Sequence, residues 1–283
     1  MIHYIENEFL KISVKEYGCE LTSVYAKKEE CEYLWQGSPE YWAGQSPILF
    51  PIVGRLIDDK YCLDGKEHEM PKHGFARKMK WDFLSASDNS LTFILTETPE
   101  TLKLYPYCFE VKVTFTIDGN KLTVSHAIYN KNDKVMYFSL GAHPAFNCKI
   151  GDKLSFDLDE TLETEKIDLV RSLRLPETYP VLNNEKDIVI TEHIFDEDAL
   201  ILHGIKSENI TLHTDNVNIK FNLGKAPYLG IWAKPGAPYI CIEPWWGVND
   251  STEKKDDFSE KDAICKAAPG SVTVFSWSAE FNA

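Results

Sequence analysis

The chain of 283 residues lacks several things, and each shortage excludes a class of protein. Basic residues are few: 30 Lys and Arg stand against 44 Asp and Glu, a formal net charge of −14. That balance argues against a phosphate-backbone binder and against an anionic membrane surface, both of which select for Lys and Arg. Neither nucleic acid nor membrane is expected as a partner. Long apolar stretches are missing too. The longest runs free of Asp, Glu, Lys and Arg, at 41–54 and 135–148, have 14 residues each, contain Pro and Gly, and are too short to span a bilayer. The N-terminal segment scatters its charges and lacks the apolar run of a signal peptide. The 7 Cys are odd in number, widely spread and form no CxxC pair. No disulfide framework or thiolate zinc site is expected, and a reducing cytoplasm is the expected compartment. HExxH, an EF-hand loop, GxSxG, the P-loop and GxGxxG are absent, so no metal, nucleotide or serine-nucleophile signature is present. There is no internal repeat, low-complexity segment or Gly/Ser linker.

What is present is alternation with a period of two. Phe109, Val111, Val113, Phe115 and Ile117 alternate with Glu110, Lys112, Thr114 and Thr116, the pattern of a half-buried strand. Asp118-Gly119-Asn120 is a hairpin signal, after which Leu122, Val124, His126 and Ile128 continue one face of a returning strand. Similar alternation occurs at Leu10–Val14, Val217–Leu223 and Val272–Phe281, and Asp64-Gly65 marks another turn. Helical signals are few. Ser259–Asp262 resembles a capping box and predicts one short helix before Pro269-Gly270, whereas Thr161–Leu175 is ambiguous. Lys254-Lys255-Asp256-Asp257 reads as a solvated loop. The expectation is an all-β fold, a large antiparallel β-sandwich with few short helices, in a single domain over residues 1–283. Aromatics reach 12%, including 7 Trp and 13 Tyr, which suits a heavy core or a sugar site equally.

Four stretches break the rhythm. Ser46–Gly54 is a rigid, mostly apolar lead into Arg55, whose planar fork suits a pair of hydroxyls or a carboxylate but also fits a plain surface residue. Pro71–Arg77 carries His73 ahead of Gly74, which lets backbone approach a ligand; a loop His bonded to a carbonyl is the plainer alternative. In Ser139–Asn147, His143 precedes Pro144 and is therefore held extended at a strand end. Its ordinary pKa of about 6.5 makes it a general-acid candidate, against a structural His. In Tyr239–Gly247, Glu243 follows an apolar strand and precedes Pro244, Trp245 and Trp246. Burial there would raise its pKa and make it a base, unless it is paired for structure. His126, on an apolar strand face, reads as a core histidine.

The ordered set of Arg55 after FPIVG, His73-Gly74-Phe75, His143-Pro144 and Glu243 resembles the aldose 1-epimerase (galactose mutarotase-like) family across nearly the whole chain. GAHPAFN, CIEPWWG and KHGFAR resemble its LacX-type bacterial branch. The resemblance implies a β-supersandwich, no metal and no cofactor, and interconversion of the α and β anomers of a free aldose. It implies Glu243 as base and His143 as acid, with His73 and Arg55 on sugar hydroxyls or the ring oxygen. It further implies an acidic residue ahead of an apolar strand, matched by Asp198 with Glu197 as competitor. Trp232, Trp245 or Trp246 would stack on the sugar, or else pack in the core. Two alternatives stand beside this reading. One is a hexose-6-phosphate 1-epimerase, with Arg55, Lys72 and Arg77 around the phosphate. The other is a non-catalytic sugar-binding protein on the same fold, which would not need the acid/base pair. The partner is in each case a small-molecule sugar, an aldohexose with or without phosphate, and both monomer and homodimer remain open.

Overall fold

The computed structural model describes residues 1–253 and 255–282. Lys254, in the expected solvated loop, lies outside the described residues, and its neighbours Lys255 and Asp256 are exposed. Alternation in the sequence becomes strand throughout. Phe109–Asp118 pairs with Lys121–Asn130, closing with Asp118 opposite Lys121, so the loop is the two residues Gly119-Asn120. The five apolar residues of Phe109–Ile117 are all buried. This hairpin supplies the sixth and seventh strands of a nine-stranded antiparallel sheet. Its order is Leu173–Val189, Lys153–Asp168, Asn209–His213, Asn218–Asn222, Val272–Asn282, Lys121–Asn130, Phe109–Asp118, Ser90–Thr96 and Asp82–Ala86.

A second sheet has Tyr239–Trp246 at its centre. On one side lie Tyr228–Trp232 and then Leu200–His203; on the other lie Leu140–Ala142 and then Ile48–Leu49, with Ala145–Asn147 continuing beside the centre strand. Every residue of Tyr239–Trp246 is buried. Trp246 packs on Phe275 and Phe146 on Phe221, joining one face of this sheet to the nine-stranded sheet. The opposite face is left to build a site. A four-stranded N-terminal sheet and two short ribbons complete the fold. One cluster of buried apolar side chains runs from Ile5 to Phe281.

Two local expectations change. Thr161–Leu175 is neither helix nor undecided: it is the end of a long, bulged hairpin, Lys153–Asp168 with Leu173–Val189. The irregular register explains the broken alternation. At Ser259–Asp262 there is one 3-10 turn, Phe258–Glu260, capped by Asp257, whose side chain accepts the Ser259 N–H at 2.9 Å. Among the described residues the α-helical turn is Pro99–Leu104 instead, where Thr98 and Thr101 bond reciprocally and Pro99 takes the first helical position. His126 is a core residue as read, 1% exposed, with burial pulling its pKa down to about 4. No helix among the described residues is long and apolar enough to cross a membrane.

Candidate active site

A cleft of about 360 Å³ lies over the free face of the second sheet. Its volume is in the range of small-molecule sites, about 300–1,000 Å³. Ile201, Trp232, Glu243 and Trp245 come from the sheet; Trp42, Pro47, Gly54, Lys72, His73 and Arg77 come from two loops around it. His143, Asp198 and the hairpin end with Ser172 close the rest.

Backbone register brings His143 to Glu243. Leu140 and Gly141 pair with Trp246 and Trp245, and Ala145 pairs with Cys241, so one antiparallel register continues on both sides of a short gap. Continued through the gap, it sets His143 opposite Glu243. Residues opposite one another in such a pair point to the same face. The gap itself follows from sequence. Pro144 and Pro244 have no N–H to give a ladder, and the Ile242 N–H reaches the Pro144 carbonyl at 3.1 Å across it. His143 Nε2 thereby lies 3.4 Å from Glu243 Oε1. The indole Nε1–H of Trp245 donates to Glu243 Oε2 at 3.1 Å. Trp245 lies flat here because its neighbours are glycines: a Cβ on Gly230 would stand 2.5 Å from its ring.

Burial acts on the pair in opposite directions. Glu243 is 1% exposed, and loss of water raises its pKa well above the usual carboxylate value, with the Trp245 hydrogen bond and Lys72 pulling the other way. His143 is 9% exposed, and loss of water lowers its pKa to about 3, helped by the Arg77 and Lys72 charges. Both effects favour a neutral pair.

His73 is held from both backbone and side chain. Its N–H bonds the Gly54 carbonyl at 2.7 Å, and its Nδ1 accepts the Gly54 N–H at 3.1 Å. With Nδ1 an acceptor, the neutral ring carries its proton on Nε2 and offers a donor. Burial, with His143 and the Lys72 and Arg77 charges, keeps its pKa well below normal. Gly74 is required beside it: φ is +69°, and a Cβ would stand 2.1 Å from the Phe50 carbonyl oxygen.

The cleft also settles which candidates meet. His143, Glu243, His73, Asp198 and Trp232 line it together. Asp198 faces the cleft while the competing Glu197 is exposed and outside it. Arg55 is a correction. Its guanidinium pairs with Asp59, Nε to Oδ1 at 2.8 Å and Nη2 to Oδ2 at 2.7 Å, and does not line the cleft. Its place as the arginine of the cleft is taken by Arg77, which stands there with Lys72. Trp246 is the second correction. Strand alternation turns it to the face opposite Glu243, onto Phe275 in the core, whereas Trp245 faces the cleft. Phe75 likewise packs in the core, on Phe109. Trp42, Ser172 and Asn249 line the cleft without a distinctive sequence signal. For Trp42, only its place between Pro39 and Pro47 in an aromatic-rich loop set it apart.

His143, Cys241 and Glu243 bring one nitrogen, one sulfur and one oxygen within 4.8 Å of one another, a donor set that fits a soft divalent ion. Ligation needs a thiolate, and burial raises the Cys241 pKa well above normal.

Comparison with known proteins finds relatives in both sequence and fold. The sequence model of the aldose 1-epimerase family matches residues 1–265. Protein LacX, plasmid form, of Lactococcus lactis subsp. lactis is 33% identical over 282 residues, covering 94% of each chain. A galactose mutarotase related enzyme from Lactobacillus acidophilus superposes with a TM-score of 0.94 at 30% identity, covering 100% of this chain and 98% of its own. A galactose mutarotase-like protein from Lactobacillus casei ATCC 334 gives 0.94 at 29% identity over 100% of both chains.

Proposed function

The chain belongs to the aldose 1-epimerase family, and on that premise we propose that it interconverts the α and β anomers of a free aldose, with Glu243 and His143 as the acid/base pair. The observation that carries this reading is the 3.4 Å approach of His143 Nε2 and Glu243 Oε1 at one point of the cleft floor. The C1 hydroxyl and the ring oxygen of a cyclic aldose share one carbon, so a single pair can serve both.

The step balances on two protons. Glu243 as carboxylate takes the proton of the C1 hydroxyl. The electrons of that O–H bond form the C1 carbonyl, the bond from C1 to the ring oxygen breaks, and the ring oxygen takes the proton of the His143 imidazolium. The pair then stands as carboxylic acid and neutral imidazole, the state burial favours. Rotation about C1–C2 presents the other carbonyl face, and the reverse transfers close the ring. The pair carries one proton before and after, and no redox or group-transfer partner enters. Each transfer of this kind contributes about 10²–10⁴-fold. In this reading His73 Nε2–H donates to a sugar oxygen, Asp198 accepts from a hydroxyl, and Trp232 and Trp245 cover an apolar sugar face. We treat residues 1–283 as one domain, and the seven free cysteines fit a reducing compartment such as the cytoplasm.

A second reading, a hexose-6-phosphate 1-epimerase, is favoured by one observation: Lys72 and Arg77 stand together on the cleft wall of an acidic protein, with Lys72 Nζ 3.5 Å from Ser172 Oγ. Anomer exchange followed by NMR on free and 6-phosphorylated aldoses decides. Faster exchange of free aldoses, lost in Glu243→Gln and His143→Asn, supports the first reading. Exchange of phosphorylated sugars alone favours the second. A wild type no faster than either variant on every sugar overturns both and leaves a sugar-binding protein.

A further inference from the structure

We infer that Trp42 is a positioning residue for His143: its indole stacks on the imidazole, centroids 4.9 Å apart and planes 28° from parallel, and holds that ring against Glu243. The inference rests on the reading of His143 as the acid.

The loop carrying Trp42 is fastened on both sides of it. The Trp42 carbonyl accepts the Trp35 indole N–H and the Ser38 N–H, each at 2.9 Å. Glu20 Oε1 accepts the N–H groups of Gln45 and Ser46 at 2.7 and 3.0 Å. Lys234 Nζ donates to the Glu40 carbonyl at 2.8 Å, tying the loop to the segment that follows Trp232. The indole folds over Gly44, where a Cβ would stand 2.5 Å from it, so a residue with no side chain makes its room. Trp232 meets Trp42 edge-on at 5.8 Å and His143 edge-on at 5.9 Å, closing two sides of the imidazole.

Restraint of the ring is one consequence and charge is the other. His143 is faced by Glu243 and Cys241 from the centre strand, and by His73, Lys72 and Arg77 from the 71–77 loop. Burial and the two cations all oppose an imidazolium, which the reaction nevertheless requires once per cycle. An aromatic face is an electron-rich surface that attracts a cation without adding a titrating group. Trp42 therefore lowers the cost of the protonated acid in a place where water cannot.

The test uses Trp42→Phe, Trp42→Leu and Gly44→Ala, the last displacing the indole without removing it, with His143→Asn alongside. Steady-state mutarotation is measured across pH. Trp42→Leu is expected to lower kcat by about 10- to 100-fold with KM within about twofold, and to move the acid limb, which the lower pKa of the pair sets, down by about 0.4–1.5 pH units. Gly44→Ala and Trp42→Phe should move both quantities the same way by less. A raised KM with kcat unchanged makes Trp42 a sugar contact and overturns the inference. So does an acid limb that stays or moves up, because the indole would then act only by excluding water. A His143→Asn variant as fast as wild type overturns the assignment of the acid itself, a separate result.

Discussion

His143 and Glu243 hold facing positions in one antiparallel register, interrupted by a proline on each strand, and their side chains close to 3.4 Å over the gap. A sheet normally uses such a position for a ladder bond or a packed pair. Here Pro144 and Pro244 have no N–H to give, and the position is left without a ladder bond.

Single removal of either partner is expected to be severe and double removal hardly worse. Glu243→Gln and His143→Asn should each cut kcat by about 10²–10⁴-fold. The double variant should lie near the worse single one, because neither group works alone. Exchange NMR of the anomers measures all three.

The buried carboxyl of Glu243 should also trade stability for activity. Its folded pKa is raised, so the native state loses stability as pH rises above 4.5, the ordinary value, until the folded value is passed. Glu243→Gln removes that penalty. Its melting temperature should exceed the wild type's at pH 8, by a margin that shrinks toward pH 4. An equal difference at both pH values would count against an ionisable Glu243 in the folded protein.

His126 should make the fold acid-sensitive. Its pKa falls from 6.5 to about 4 on burial, so the native state binds fewer protons than the unfolded chain in that window. Stability is present above about 6.5 and lost as pH falls toward 4, about 3 kcal/mol in all for this group. Urea unfolding at pH 7 and pH 4.5 should show a smaller loss in His126→Phe than in wild type. His143 titrates in the same direction, so the comparison belongs in a His143→Asn background.

The two tryptophans after Glu243 should separate cleanly. Trp245→Phe removes the donor to Glu243 Oε2, which raises that carboxyl further and should move the alkaline limb of the rate profile, set by the higher pKa of the pair, upward. Trp246→Phe, on the core face, should leave the profile in place and lower the melting temperature. A profile shift in the second variant would contradict the sidedness of the strand.

The arginines should separate too. Arg55→Ala breaks an exposed pair with Asp59 and should change KM by less than about twofold and stability by less than about 1 kcal/mol. Arg77→Ala should raise KM for 6-phosphorylated aldoses selectively if the second reading holds. Equal effects on free and phosphorylated sugars would remove its support.

Sequence alone determined the regularly alternating strands, because a two-residue period is a local consequence of one wet face and one dry face, and it marked the segments of His143, Glu243 and His73 through their prolines and glycines. Residues on either side of a single strand were not separable before the structure, since Trp245 and Trp246 are adjacent in sequence and opposed in space. Arg55 was misplaced for a related reason: a guanidinium goes to whichever carboxylate folding sets beside it, and Asp59, four residues on, is nearer than the cleft. Asp198 and Glu197 were distinguished only by the turn that leaves one in the cleft and the other in water. Trp42 was invisible, because stacking on His143 joins positions 101 residues apart that nothing local couples. Local patterning sets what each segment is; only the packing of sheet against loop decides which of its side chains meet.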